Sequence, residues 1–376
     1  MMKFEVKSFK LTAGDYINLP CKLPCSLYSV LLDNRLIDSP YYRENKDFSP
    51  VSEGRVELTA QVILNKAAAS SRFLYLSVDG IYGEAEIFFN GKSRGMLRSG
   101  ERKYTVDITD GAVEGENTVS FLFFAPPKQI LEARLSGGEV SAIATVPFLK
   151  DMGILGSCEI LATNDAVIDK VALTQHHGEG GVELKIKLST LGDDEDIRAV
   201  ATLVSSVGRM YFGSVINGRG SIRVPDPQLW WPNGLGEPYI YTLTVTLYKG
   251  EEAEDMRQIK LGLRDAQVSE AEGGIAIRIN GREFLPFALT YCAEDLVLPE
   301  TSAARTEELI RSFAAMGGNA LALRQGDLHP SEHFYDLCDK HGIVVIDGIT
   351  VPYTNLSEHP EFNMSLSDTR QNTEDG

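Results

Sequence analysis

The sequence predicts a mainly β protein: two successive β-sandwiches, then a short segment in which strands and helices alternate. Three observations carry this. Apolar or alternating runs cut by Gly, Asn and Asp turn signals recur from Val56 to Phe124. A second set of the same texture fills the stretch from Asp165 to Asp265. After Asp265 apolar residues at helical spacing alternate with short apolar runs, the pattern of βα units on a parallel sheet.

In the first region Val56–Leu64, Phe73–Val78, Ala85–Phe89 and Thr118–Phe124 read as strands. Asn90-Gly91 is a hairpin turn, because both residues tolerate positive φ. Further turns fall at Asp79-Gly80, Ser99-Gly100 and Glu114–Asn117. In the second region the strands are Val182–Leu188, Ile197–Val204, Arg209–Val215, Ile222–Val224, Tyr239–Tyr248 and Met256–Leu263. With the strand that His176-His177 ends, they make an immunoglobulin-like count. The third region begins with a hairpin, Ile275–Ile279 and Glu283–Phe287 about Asn280-Gly281. Helix 301–316, with Leu309, Ile310 and Phe313 on one face, ends at Gly317-Gly318. Strand 319–324, helix 331–341 and strand 343–347 follow, the last so uniformly apolar that both its faces should be covered. Residues 351–376 are polar and read as a disordered tail.

Bulk composition narrows the partners. Against 36 Lys and Arg stand 53 Asp and Glu, a net charge of −17. That excess repels phosphate backbones and anionic lipid, so neither nucleic acid nor a membrane surface is an expected partner, and no apolar run is long enough to span a bilayer. A neutral ligand such as a sugar is compatible with it, as is a charge that serves solubility alone. Cys21, Cys25, Cys158, Cys292 and Cys338 are scattered and odd in number, which suits reduced thiols and a cytosolic compartment better than disulfides. The first residues contain no apolar core of signal-peptide length.

Trp230 to Pro238 reads Trp-Trp-Pro-Asn-Gly-Leu-Gly-Glu-Pro, a Pro/Gly turn that feeds a strand alternating Tyr241, Leu243, Val245 and Leu247 with threonines. This passage resembles the W-W-P-x-G-x-G-x-P signature of family 2 glycoside hydrolases, best matched by their β-mannosidase branch. Gly262-Leu263-Arg264 is similar to that family's G-x-R, Leu36–Tyr42 to a linker that wraps its sugar-binding jelly-roll, and Phe334–Asp339 to its second barrel helix. The resemblance implies a jelly-roll β-sandwich over 1–162, an immunoglobulin-like β-sandwich over 163–265 and a partial (β/α)₈ barrel of about three βα units over 266–350. A full barrel takes about 250 residues, more than follow Asp265.

The resemblance also marks departures. Gly153-Ile154 stands in the family's closing G-I-W-R, but its Trp and Arg positions hold Leu155 and Gly156. Thr290-Tyr291 replaces an Asn-Trp pair, Gln325–Leu328 replaces the family's pocket residues after Arg324, and Asp347-Gly348 stands where many members have Asp-Glu. A retaining glycosidase needs two carboxyl groups, an acid/base and a nucleophile. The family's acid/base follows an Asn-Glu pair, and no such dipeptide occurs in these 376 residues. No catalytic residue is therefore assigned.

Substrate contacts are expected at Arg324, Asp327, Asp295 and Tyr291, near carboxyl ends of predicted strands, and at Trp230 and Trp231, whose indoles could stack on a sugar. Each has an ordinary alternative: solvated loop carboxylates or helix caps for the acids, domain-junction packing for the tryptophans. Packing is preferred for the tryptophans. Tyr41, Tyr42 and Tyr82 are loop candidates for stacking. Asp327, His329 and His333 lack a fixed third ligand group, so no metal or cofactor is expected. The resulting expectation is the N-terminal portion of a β-glycoside hydrolase, inactive by itself, with a partner chain or second copy able to join at the open barrel edge. The alternative is a non-catalytic carbohydrate-binding or scaffold protein.

Overall fold

The computed structural model describes residues 1–38, 54–98, 103–124, 151–193, 195–271, 274–291, 303–323 and 330–346. In the first domain a six-stranded antiparallel sheet faces a four-stranded one. The larger sheet runs Tyr16–Lys22, Ser8–Ala13, Val56–Leu64, Gly115–Phe124, Glu84–Phe89, Lys92–Leu97. The smaller runs Met2–Glu5, Cys158–Thr163, Phe73–Val78, Tyr104–Asp107. Val56–Leu64 shows why: every second residue from Val56 to Leu64 is buried, and its partner strand matches it from Gly115 opposite Leu64 to Phe123 opposite Val56. Leu11, Leu58, Ile87 and Phe121 from one sheet meet Leu74, Leu76 and Ile160 from the other in one core. Asn90 and Gly91 take φ of 48° and 76°, as the hairpin turn requires.

Three short strands, Cys25–Ser26, Gly153–Ile154 and Ile81–Tyr82, form a small sheet beside the sandwich. The Gly-Ile that the closing motif keeps is its central strand. A Cβ on Gly153 would collide with the Cys25 carbonyl oxygen, so the position admits no side chain. Ser26 and Ser29 make a reciprocal capping box that starts the helix Leu27–Asp33. The expected linker, Leu36–Tyr42, thus begins just past the end of a helix, and its residues 39–42, with Tyr41 and Tyr42, lie outside the described residues, as do the expected turn at Ser99-Gly100 and the tail over 351–376.

The second domain is one seven-stranded sheet in the order Val167–Gly178, Gly181–Leu191, Arg219–Val224, Met210–Ile216, Ile197–Val204, Ile240–Lys249, Glu252–Gly262. It closes on itself. Gln175 Nε2 donates to the Gly262 carbonyl at 2.9 Å, and Arg257 Nη1 to the Asp169 carbonyl at 2.9 Å, joining the first strand to the last. Leu184, Ile186, Leu203, Leu243 and Val245 fill the resulting sandwich.

The third region holds an antiparallel sheet, Ala266–Ala271, Gly274–Ile279 and Arg282–Phe284, and a parallel sheet, Ala288–Tyr291, Ala320–Leu323 and Val344–Ile346. Helices Ala303–Ala315 and Glu332–His341 pack on the parallel sheet through Ile310, Phe313, Phe334 and Leu337. Ile279 and Phe284 of the hairpin pack against Ala320, on a strand of that sheet. Two expectations need correction. Leu309 is exposed and the inward positions of its helix are Thr306, Ile310 and Phe313, because packing selects a stripe that the apolar residues alone do not define. Val344–Ile346 is only partly covered, because it is an edge strand among the described residues.

Candidate functional site

The parallel strands set the geometry. Tyr291 lies opposite Leu323, and Ala322 opposite Ile346, so the carboxyl ends of all three strands come level. In βα architectures the chemistry sits at this end. Tyr291 is half-buried there, its ring 4.5 Å from that of Phe334. Asp295, Arg324 and Asp327 lie outside the described residues, with Glu294, His329 and Asp347.

The opposite end of the sheet is built by the tryptophan loop. Asn233 donates three times: its backbone N–H to the Gly342 carbonyl at 2.7 Å, and its Nδ2 to the carbonyls of Ala314 and Gly318 at 2.8 and 2.9 Å. Gly318 and Gly342 precede the second and third parallel strands, so one residue pins both strand entries to the second sandwich, its side chain at Gly318 and its backbone N–H at Gly342. Gly342 has φ of 69°, and a Cβ there would come within 2.7 Å of the Asn233 nitrogen, so the close approach requires glycine. Asn280 Nδ2 donates to the Trp230 carbonyl at 2.9 Å, which ties in the hairpin as well.

Trp230 is 1% exposed. Its Nε1 donates to the Asp339 carbonyl at 2.8 Å, Gly262 packs on its ring, and the Arg264 guanidinium lies 4.7 Å above it. Arg264 also reaches Asp339 Oδ1 at 3.4 Å. Burial pushes the Asp339 carboxyl up, and Arg264 beside it holds part of that shift back. Trp231 is half-buried, with Arg282 4.8 Å over its ring and Gly236 against it. The sugar-stacking role expected for Trp230 and Trp231 is therefore corrected: both indoles are engaged in the domain junction, at the end of the sheet away from Tyr291.

Tyr82 is half-buried in the small sheet of the first domain, paired with Gly153. Beside it, Gly156 packs so closely on Asp79 that a Cβ would sit 2.8 Å from the Asp79 carbonyl oxygen. Asp151 was not anticipated. Its Oδ1 accepts the backbone N–H groups of Tyr28 and Met152 at 3.1 and 3.0 Å, which caps the helix Leu27–Asp33 across 123 residues of chain. Its place two residues before Gly153 was the available signal. Among the described residues no group of three or more His, Cys, Asp or Glu is arranged to hold a metal ion, and His176 is exposed. None of the helices described is long and apolar enough to cross a membrane.

Residues 6–151 match the description "Glycosyl hydrolase 2 galactose-binding domain-like", and residues 160–264 match "Glycosyl hydrolases family 2". The chain belongs to glycosyl hydrolase family 2. It is similar to the exo-beta-D-glucosaminidase of Amycolatopsis orientalis, 24% identical over 353 residues that take in 90% of this chain and 33% of that protein. Beta-mannosidase B of Emericella nidulans is 22% identical over 379 residues, 92% of this chain and 45% of that protein. Among solved structures, the beta-D-mannosidase of Dictyoglomus thermophilum shares the fold with a TM-score of 0.81 at 23% identity, over 93% of this chain and 47% of that one. The chain thus spans under half the length of these family 2 relatives. Its fold is two β-sandwich domains followed by an alternating βα region.

Proposed function

We propose that these residues form the N-terminal, substrate-positioning portion of a β-mannosidase-like family 2 glycosidase, and that the parallel unit opens a (β/α)₈ barrel. The observation that carries the reading is the level register at Tyr291, Leu323 and Ile346, beside two domains that match the family. On this reading a β-linked sugar meets the carboxyl end of the sheet, contacted by Tyr291 and by Arg324, Asp327 and Asp295 of the segments that follow the strands. The exposed apolar row Leu285, Phe287, Leu289 is where further βα units pack, whether from the same or a partner chain. Free thiols at Cys21, Cys25, Cys158 and Cys338 support a reducing, cytosolic setting.

The 376 residues alone should not turn over substrate, since a retaining mechanism needs two carboxyl groups about 5–5.5 Å apart and the family's Asn-Glu pair is not among them. The test is incubation with aryl β-mannoside, β-glucosaminide, β-galactoside and β-glucuronide. Background rates are expected; robust hydrolysis abolished by Asp327→Asn would overturn this part of the reading.

A non-catalytic carbohydrate-binding or scaffold role is the second reading; the two β-sandwiches that match the family, beside a βα segment whose pocket positions depart from it at Thr290-Tyr291 and Asp347-Gly348, favour it. Because both tryptophans are engaged at the junction, calorimetric titration with β-linked oligosaccharides is the suitable test. Saturable heat lost in Tyr82→Ala but kept in Tyr291→Ala would favour this reading over the first.

A further inference from the structure

Cys21 and Cys25 stand four residues apart where two sheets of the first domain meet. Cys21 lies on the strand Tyr16–Lys22 of the six-stranded sheet, opposite Phe9, and Cys25 lies on the small sheet, opposite Ile154. Cys25 is 3% exposed in the sandwich core, and the half-buried Cys21 packs against the same cluster. Their side chains share a hydrogen bond, and both thiols are free. Neither the domain junction nor the carboxyl-end site uses this pair.

The two sulfurs are unequal. The S–H of Cys25 donates to the Cys21 sulfur and holds the Cys21 thiol below its usual range; burial opposes this, and a backbone hydrogen bond from Leu11 adds to it. The same hydrogen bond to Cys21, then burial, then the charges of Cys21, Asp151 and Asp33 push the Cys25 thiol up. Burial also raises Cys158 and Cys338, the latter to about 12. The thiolate is the form that attacks oxidants, so among the described cysteines Cys21 reacts first, with Cys25 against it. An accessible, acidified cysteine beside a resolving one is the arrangement of a redox-sensitive pair.

We infer that Cys21 and Cys25 are an oxidisable dithiol, which closes to a disulfide when it meets a peroxide. The Cys21 thiolate attacks one peroxide oxygen and the O–O bond breaks, leaving Cys21 as a sulfenic acid. The other oxygen departs as hydroxide and takes up the proton that Cys21 released, giving water. The Cys25 sulfur then attacks the Cys21 sulfur; its proton joins the departing hydroxyl, and a second water leaves. The two thiols lose two electrons and the peroxide gains them. The sulfurs must draw in to about 2.05 Å. Cys21 can follow, because its strand is paired on one side alone among the described residues. The bond ties that edge strand to the small sheet that holds Gly153–Ile154 and Ile81–Tyr82. In a reducing compartment such a bond is transient, which agrees with free thiols at rest. The inference stands whether or not the glycosidase reading holds.

The test is peptide mapping of the full chain, reduced, desalted and treated with hydrogen peroxide, its remaining thiols then alkylated in denaturant. Trypsin cleaves after Lys10, Lys22 and Arg35, which puts the two cysteines on separate peptides, 11–22 and 23–35. A linked pair of these peptides that dithiothreitol releases is expected, with two of the chain's five thiols lost before the others. Cys25→Ala, which keeps a small apolar side chain in the core, should leave Cys21 as a sulfenic acid that dimedone traps. Cys21→Ser should leave Cys25 unoxidised. Cys158→Ala, Cys292→Ala and Cys338→Ala should each keep the link. Wild-type Cys21 that passes to the sulfinic acid without a link overturns the inference, as does loss of the Cys158 or Cys338 thiol ahead of Cys21.

Discussion

Asp151 has one carboxylate oxygen on two backbone amides and the other, Oδ2, without a hydrogen-bond partner among the described residues. Burial raises its pKa from 3.8 to about 7, against the pull of the Ser26 hydroxyl and the Tyr28, Met152 and Leu27 amides. A folded value above the unfolded one means that the stability supported by protonated Asp151 is complete below about pH 4. It falls as pH rises towards 7 and is level beyond that. Thermal melts of wild type and Asp151→Asn across that window should show a decline that the variant lacks; parallel curves would refute the assignment. Trp230 offers a second residue-level test. Trp230→Phe leaves the Asp339 carbonyl without its indole partner and opens space beside Gly262, at a cost of about 2–4 kcal/mol in denaturant unfolding. A loss below about 0.5 kcal/mol, the ordinary range for surface substitutions, would remove it from the junction.

Among the elements, the two-residue strand Gly153–Ile154 depends most on one position. Gly153→Ala must displace the Cys25–Ser26 backbone, at a cost of about 1–3 kcal/mol for overpacking. Gly156→Arg, which would rebuild the family's motif, should also destabilise, since its Cβ meets the Asp79 carbonyl oxygen. Recovery of stability or sugar binding in Gly156→Arg would contradict this. The parallel unit has short strands, two edges without a strand partner among the described residues, and helices whose apolar residues gather on one face. Hydrogen exchange in a dilute monomer should therefore be faster over 288–291 and 344–346 than over Val56–Leu64, which is paired on both sides. Equal protection would show that the open edges are covered.

At the scale of the whole molecule, the second sandwich and the βα region are joined by side chains that act on backbone. Asn233→Ala removes two hydrogen bonds, one to the Ala314 carbonyl in the last turn of a helix and one to the Gly318 carbonyl at a strand entry, and should lower the stability of the parallel unit by about 2–3 kcal/mol while sparing the sandwiches. Segment-resolved exchange reads this directly: faster exchange confined to 303–346 is expected, and a change spread evenly over the chain would count against a local rivet. The strand texture of both sandwiches was legible because a half-buried strand has a period of two, as in Val56–Leu64 and Tyr241–Leu247. The N-terminal strands Met2–Glu5, Ser8–Ala13 and Tyr16–Lys22 were not separated in the reading of the sequence, since each is short and pairs with partners far along the chain. The tryptophan loop was legible as a motif but not as a location.

What the sequence determined by itself is local: the positive-φ turns at Asn90-Gly91 and Asn280-Gly281, the alternation of the strands, the helix stop at Gly317, and the family to which the Trp230–Pro238 signature points. Each follows from sterics or periodicity within a few residues, and needs no distant partner. Tertiary structure alone decided which end of the parallel sheet the two indoles occupy, that Asp151 caps a helix 123 residues away, and that Phe212 stands exposed. Those facts depend on which surfaces are brought together, and the free energy of burial that selects them is a property of both partners at once.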